Sequence, residues 1–472
     1  MKISNSVKWV TLSQAVKVFS QLFILLFLSR ILTPDAYGLL AIISVISSFS
    51  LMLRDFGTSS SIVQNHNITS ESLNSIYTFN ILCGILVFIL LNSTSYYIAN
   101  FYNANILQYL ILILSFSFPI ASLSIVHQAN LEKKLEFPLI AKIECFSILL
   151  SLLISSLLFF LGKSIYIIPC QSLLYAIFSS TLFFYFSKLN LKFSIKKFKK
   201  EDILGFSSNV AGFNFINYFA RNADSIIIGK LLGTSILGFY SLSYRIMLFP
   251  VQNLTFIVNR TIFPYLSKYQ NDKNAILSVY GNSISYISLL VAPIMFGIFY
   301  LRTSLVSLLF GSQWSMTPDI LYWLAPVGLI QSLVSSTGAV FMATNNTSLL
   351  FRLGIFGAFI QIVSFIVGAQ YNIFILCQLY LLSNILNLFI CFYFISKVLN
   401  CSFLLLFNKF YKSIICSIVM TLSLQIFNID SDINNVPMLI LNIILGIIFY
   451  LFSSFILNKE TLFNFIKNIR LK

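Results

Sequence analysis

The sequence predicts an all-α polytopic membrane protein of about fourteen transmembrane helices, and three observations lead there. The chain has 472 residues, 58% of them hydrophobic and only 9% charged, where a soluble domain carries about 25% charged residues. Long apolar runs recur between breakers, each near the roughly 20 residues that a helix needs to cross a bilayer. The 30 Lys and Arg outnumber the 14 Asp and Glu, giving a net +16, and they fall mostly on alternate loops. So few polar residues cannot coat an apolar core of this size with a water-facing or phosphate-reading surface. The soluble, disordered and nucleic-acid-binding classes are thereby excluded. The runs are continuous rather than alternating, which favours helices over barrel strands.

The candidate spans lie near 10–32, 37–58, 74–92, 105–128, 138–161, 164–187, 204–229, 234–262, 280–301, 318–342, 347–369, 373–396, 411–428 and 437–457. The first, second, seventh and eighth are the most polar and are expected to fall below a strict hydropathy cut. Residues 10–32 read as a retained helix, because no small-residue cleavage site follows a short apolar stretch. An even number of spans puts both termini on one side, and the positive-inside rule makes that side cytoplasmic. Nineteen Lys and Arg then face the cytoplasm against seven acids, a net +12. Six of these cations, from Lys188 to Lys200, crowd the loop 188–201, where they anchor topology and separate two bundles. Four cations and four acids lie outside. Seven cations (Lys17, Arg54, Lys142, Arg221, Arg245, Arg260, Arg352) remain at membrane depth or its edge, with only Asp55, Glu144 and Asp224 beside them. The resulting +4 calls for a functional account.

Cysteine and histidine add little chemistry. The seven cysteines lie in or beside apolar segments without a C-x-x-C pair, so they read as buried packing. His66 and His127 are far apart in sequence, and the sequence calls for neither metal nor cofactor.

An internal repeat stands at an offset of two hundred. The stretch from Ser29 to Gly38 resembles that from Gly229 to Gly238: Arg30 aligns with Lys230, Leu32 with Leu232 and Gly38 with Gly238. Upstream, Gln14 aligns with Asn214, Lys17 with Asn217 and Gln21 with Arg221, and in each copy the 3–4 spacing gathers them on one helix face. The repeat implies six-helix bundles at 1–190 and 204–400, in parallel orientation about a pseudo-two-fold axis along the membrane normal. A basic linker at 191–203 joins them, and two extra helices and a basic tail occupy 401–472.

A charge at mid-bilayer costs about 2.5–3.5 kcal/mol even on a lenient scale, so polar stripes belong against other helices or a wet cavity. The first helix carries Gln14, Lys17 and Gln21; the seventh carries Asn214, Asn217, Arg221 and Asp224; the eighth carries Arg245. Cations in excess read as an anion-binding cavity, with Arg suited to phosphate oxygens. Other readings stand beside this one. Arg221 and Asp224 are i, i+3 neighbours able to form an intrahelical pair. Arg54, Arg260, Arg352 and Lys142 lie near cytoplasmic ends and are placed to snorkel. Asp224 is a candidate for ion coupling. Phe213, Tyr218, Tyr240 and Tyr244 could stack on sugars or simply pack.

Segment 28–64, LSRILTPDAYGLLAIISVISSFSLMLRDFGTSSSIVQ, resembles the N-terminal signature of Wzx-type polysaccharide flippases of the colanic-acid-exporter-like group. Segment 217–267, with NYFARNADSIIIGKLLG and LGFYSLSYRIMLFPVQN, resembles their seventh and eighth helices, and FGSQWSMTPDILYWLAP at 310–326 adds to the likeness. The resemblance spans about residues 5–345 and fades toward the C-terminus. It implies membership of the multidrug/oligosaccharidyl-lipid/polysaccharide exporter superfamily. The implied cargo is an undecaprenyl-pyrophosphate-linked oligosaccharide moved across a bacterial inner membrane by alternating access. Membrane lipids, a polysaccharide polymerase and glycosyltransferases would be its partners, and the protein would act as a monomer. No G-x-x-x-x-G-K-[ST] motif exists, so an ion gradient is the expected drive. An embedded polymerase is disfavoured, because the longer outer loops, near 302–317 and 429–436, hold few acid/base groups. A small-cation exporter would want acids where this sequence places cations.

Overall fold

In the computed structural model the described residues are 3–55, 58–64, 68–194, 208–268, 272–426 and 435–470, and among them the regular structure is helical. The chain divides into two compact units, Met1–Gly238 and Phe239–Lys472.

The first unit opens with α1 (Ile3–Ile31) and α2 (Pro34–Asp55), followed by the short α3 (Thr58–Gln64) and the long α4 (Ser70–Phe101). The expected fourth span is broken into α5 (Ile106–Ser115), α6 (Ser117–Ser122) and α7 (Ile125–Lys133), with a 44° bend before α7. Pro119 explains the first break: it has no N–H to offer the carbonyl of Ser115, where α5 ends. Next come α8 (Phe137–Ser156), α9 (Ile167–Ser187) and α10 (Ser208–Leu231). Small residues allow close packing. Ser147, Ser151 and Ser155 form a buried stripe at every fourth position of α8, and α8 packs against both α9 and α1. A Cβ on Gly84 of α4 would lie 2.3 Å from Ser122 Oγ of α6. Without a hydrophobic drive between helices in lipid, such contacts and side-chain hydrogen bonds hold a bundle together. Ser180 Oγ donates to the Ile120 carbonyl at 2.8 Å, and His127, fully buried, meets Ser187 Oγ at 2.5 Å.

The second unit takes most of α11 (Thr234–Lys268). It continues with α12 (Lys273–Leu309), α13 (Thr317–Val334), α14 (Thr337–Ala343), α15 (Thr347–Ala369) and α16 (Ile373–Leu399). It ends with α17 (Phe403–Phe407), α18 (Tyr411–Ile426), α19 (Val436–Leu457) and α20 (Lys459–Arg470). Helix α12 is its centre, packing against α13, α18, α19 and α20. Asp272 caps α12 by accepting from the Asn274 and Ala275 N–H groups at 3.0 Å, satisfying donors that a helix start leaves free. Ser288 Oγ donates to Ser413 Oγ or accepts from it at 3.2 Å, and Tyr450 donates to the Leu289 carbonyl at 2.8 Å.

Ten helices among the described residues are long and apolar enough to cross a membrane, or eleven with the bent pair counted as one span. The expected seventh and eighth spans are not among these helices of the described residues, and the thirteenth, Tyr411–Ile426, is shorter. The first and second are apolar enough, contrary to expectation, because the apolar runs 24–28 and 39–43 offset their polar residues.

The offset of two hundred is visible in the backbone. Leu32 N–H bonds the Leu28 carbonyl at 2.8 Å and Leu232 N–H bonds the Ile228 carbonyl at 2.9 Å; Tyr37 bonds Thr33 as Leu237 bonds Gly233. Residues 37–43 and 237–243 are all buried. The two turns also touch reciprocally. A Cβ on Gly38 would lie 1.8 Å from the Thr234 oxygen, and one on Gly238 would lie 1.8 Å from the Pro34 oxygen. Contact of i with j and of i+200 with j−200 is the mark of a local two-fold. Gly38→Ala should therefore overpack this crossing and cost about 1–3 kcal/mol. Gly297→Ala, with nothing within 4 Å of the new Cβ, should be neutral or gain about 0.5–1 kcal/mol from helix propensity. Thermal unfolding of the detergent-purified variants measures both, and equal melting temperatures would contradict the reading.

Candidate functional site

Helix α1 lies against α8, and its polar stripe is accessible. Gln14 and Gln21 are exposed, and Lys17 between them is half-exposed. The Lys17 ammonium reaches Glu144 of α8, Nζ to Oε2 2.9 Å, with side-chain exposures of 36% and 13% respectively. The sequence puts both residues at membrane depth without pairing them, since they lie far apart along the chain. Tyr175 of α9 stands within electrostatic range of Glu144 and of Arg54. Lys142 turns the other way, its ammonium 5.1 Å from the centre of the Trp9 ring, an arrangement suited to a membrane interface.

Helix α10 packs on α2 in the same unit. Tyr218 donates a hydrogen bond to the Val45 carbonyl, and its ring meets Phe49 at 5.3 Å, so this tyrosine is committed to packing. Arg221 is exposed. Asp224 is buried and accepts from the Ser225 N–H at 2.6 Å. Of the remaining expected residues, Arg245 belongs to the second unit and is half-buried, Arg54 is half-buried and Arg352 is exposed. The side chains of Phe213, Asn214, Asn217 and Arg260 lie outside the described residues, as does much of the basic linker. Tyr240 is 1% exposed and stacks on Tyr244 at 5.8 Å, which makes Tyr240 core and withdraws it from the sugar-stacking reading.

The repeat turns carry polar contacts of their own. Thr234 Oγ1 donates to the Asp35 carboxylate. Lys230 Nζ donates to the Phe101 carbonyl at 2.8 Å and sits 4.5 Å from the Phe101 ring centre. Beside it, burial pushes the Tyr102 phenol up to about 12, so it stays neutral at any physiological pH.

Nothing in the linear pattern announces an apolar groove in the second unit. It has a volume of about 560 Å³ and is lined by α12 (Leu289, Pro293, Ile294, Ile298), α19 (Ile443, Gly446, Ile447, Tyr450) and α20 (Leu462, Phe465, Ile466), with Met420 and Leu424 of α18. Its length along α12 and its hydrocarbon lining suit a flexible alkyl or prenyl chain. Periodicity could not find it, because the groove exists only where four separate helices meet.

Comparison with known proteins places this architecture. A membrane protein of the cps region of Klebsiella pneumoniae is 27% identical over 97% of this chain and 95% of its own length. The lipopolysaccharide biosynthesis protein WzxC of Escherichia coli (strain K12) is 26% identical over 78% of this chain and 75% of its own. Among solved structures, the lipid II flippase MurJ in its inward closed conformation superposes with a TM-score of 0.75. It covers 96% of this chain and 100% of its own at 17% identity, a likeness of fold. The family profile described as polysaccharide biosynthesis protein matches residues 27–318, which takes in α2, the repeat turns and the polar stripe of α10. The chain belongs to the polysaccharide biosynthesis protein family.

Proposed function

We propose that this protein is a flippase that moves a lipid-linked oligosaccharide, carried on undecaprenyl diphosphate, across the bacterial cytoplasmic membrane by alternating access. The observation that carries this reading is the family match together with accessible cations on otherwise apolar helices. A diphosphate needs cations away from bulk water, and Lys17 and Arg221 are accessible while Arg245 is half-buried. The glycan needs a polar, wettable path, to which exposed Gln14 and Gln21 contribute; Asn214 and Asn217 are assigned to the same path by the repeat. The polyprenyl chain needs hydrocarbon, and the groove beside α12 and α19 offers it. Both termini are assigned to the cytoplasm by the distribution of lysine. Asp224, buried on α10, is assigned to ion coupling. The names of WzxC and of the lipid II flippase MurJ agree with this class of cargo.

Deletion of the gene in a strain without a redundant flippase should accumulate lipid-linked repeat units in the cytoplasmic leaflet. Normal export would refute the proposal. Complementation with Arg245→Ala should lower export about tenfold or more at unchanged membrane level, the loss of one charge-assisted contact of about 1.5–3 kcal/mol. Lys163→Gln, in a loop between α8 and α9, should complement fully. For the groove, Gly446→Leu projects a side chain into the space that Gly446 leaves open, its nearest neighbour being Leu424 at 3.5 Å. It should slow flipping of long-chain substrates in proteoliposomes more than that of short-chain analogues. An equal effect on both chain lengths would remove the groove from the pathway.

A further inference from the structure

The Lys17–Glu144 pair has an asymmetry that a static structural bridge does not need. The cation is 36% exposed and flanked by the exposed amides Gln14 and Gln21, whereas the acid is 13% exposed and lies behind it on the neighbouring helix. An ammonium has three donors, and the carboxylate holds it through a single oxygen at 2.9 Å. An anion approaching along the stripe meets Lys17 first.

We infer that Glu144 is a built-in counter-anion for Lys17, which the diphosphate of the substrate displaces and which takes up a proton as it is displaced. This inference rests on the proposed function and names how its anion site is filled when empty. A diphosphate brings two or more negative charges to compete with one carboxylate. Once the ammonium turns to it, Glu144 is left covered and without its partner. An isolated carboxylate in a low-dielectric place is costly, and such a group neutralises instead. The balance is simple: Lys17 stays an ammonium throughout, its contact with carboxylate oxygen is replaced by one with phosphate oxygen, and the Glu144 carboxylate accepts one proton from water. Among the described residues, Cys145 lies beside Glu144 on its own helix and Tyr175 of α9 lies in electrostatic range of it, with Arg54 of α2 in range of Tyr175. Lys142 is engaged with Trp9, and α7 meets α8 through Leu131 against Ile140 and Ile143.

Binding that takes up a proton weakens as pH rises, up to tenfold per pH unit over the range where the displaced acid titrates. The probe is geranylgeranyl diphosphate, with geranylgeraniol as the uncharged control, added to the full-length protein in phosphatidylcholine nanodiscs from about pH 5 to 8. Calorimetry in buffers of different ionisation enthalpy reads the protons taken up. The ligand's own titration is common to all variants, so the difference between wild type and Glu144→Gln isolates Glu144. Wild type should take up as much as one proton more than Glu144→Gln, and Glu144→Gln should bind at least tenfold tighter at the alkaline end. Lys17→Gln should weaken binding in either background. Equal affinity and equal proton uptake in wild type and Glu144→Gln would overturn the inference while leaving the flippase reading intact. Failure of wild type to distinguish the diphosphate from the alcohol would overturn the anion reading itself. If Glu144→Gln does not fold, infrared difference spectra decide: a protonated-carboxyl band should appear on adding the diphosphate to wild type and shift in Glu144→Asp. Its absence from wild type would overturn the inference.

Discussion

Exclusion of water at membrane depth is the constraint on which everything else in this protein rests. A backbone N–H or C=O that cannot reach water must be bonded within its own segment, so the chain crosses as helices and confines its irregular backbone to turns and breaks. The same exclusion removes the hydrophobic drive that packs soluble helices. Close approach of small residues takes its place, as along Ser147, Ser151 and Ser155, together with hydroxyl-to-carbonyl bonds such as Ser285 Oγ to Lys409 O at 2.8 Å. It also decides which charges are tolerated. The Lys17 cation on α1 is tolerated with Glu144 standing 2.9 Å away.

The duplicated turn illustrates how one structural solution can be kept while its chemistry diverges. Backbone bonds, the buried runs 37–43 and 237–243 and the reciprocal glycine contacts recur at the same offset. The side chains do not. Pro34 corresponds to Thr234 and Asp35 to Ser235, so the Thr234–Asp35 hydrogen bond has no symmetry mate in the Pro34–Ser235 pair. Upstream, Lys17 corresponds to Asn217 and Gln21 to Arg221, placing the cation one helical turn apart in the two copies. A lipid-linked glycan is itself asymmetric, with charge at one point and sugar beyond it. Two superimposable stripes would serve such a cargo less well than two offset ones.

Much of this architecture is legible from local pattern. Span positions follow from runs of hydrocarbon about as long as a bilayer is thick, and the repeat follows from aligned turn residues such as Gly38 and Gly238, whose lack of a Cβ the crossing demands. What stays hidden is non-local or depends on backbone detail. The 44° bend before α7 lies in a run that reads as one uninterrupted span, and its first break depends on a single missing donor at Pro119. Lys17 and Glu144 each look like isolated membrane charges until α1 and α8 are laid together, and no periodicity within either helix announces the partner. The groove is harder still to foresee, because α12 and three helices more than a hundred residues further on contribute its walls. Tyr240 shows a case in which the sequence leaves two readings open. An aromatic residue near a cationic stripe suggests sugar stacking, yet helix packing places it in the core.

The net charge of the chain, +16, divides by what each part must do. By the positive-inside reading, most of it would anchor loops on one side and stay out of the field. The charges within the spans are different, because a transporter that alternates carries them partway across the potential, at about 2.3 kcal/mol per charge per 100 mV. An empty cavity lined with bare cations would meet that cost on every return. With Glu144 on Lys17 the α1 site is neutral when empty. With a diphosphate in its place and Glu144 protonated, the site again keeps its cation matched to an anion. The acid on α8 therefore explains how a cation can face an accessible stripe within an apolar span, and under the proposed exchange the same pairing would let the helix re-orient with or without its cargo.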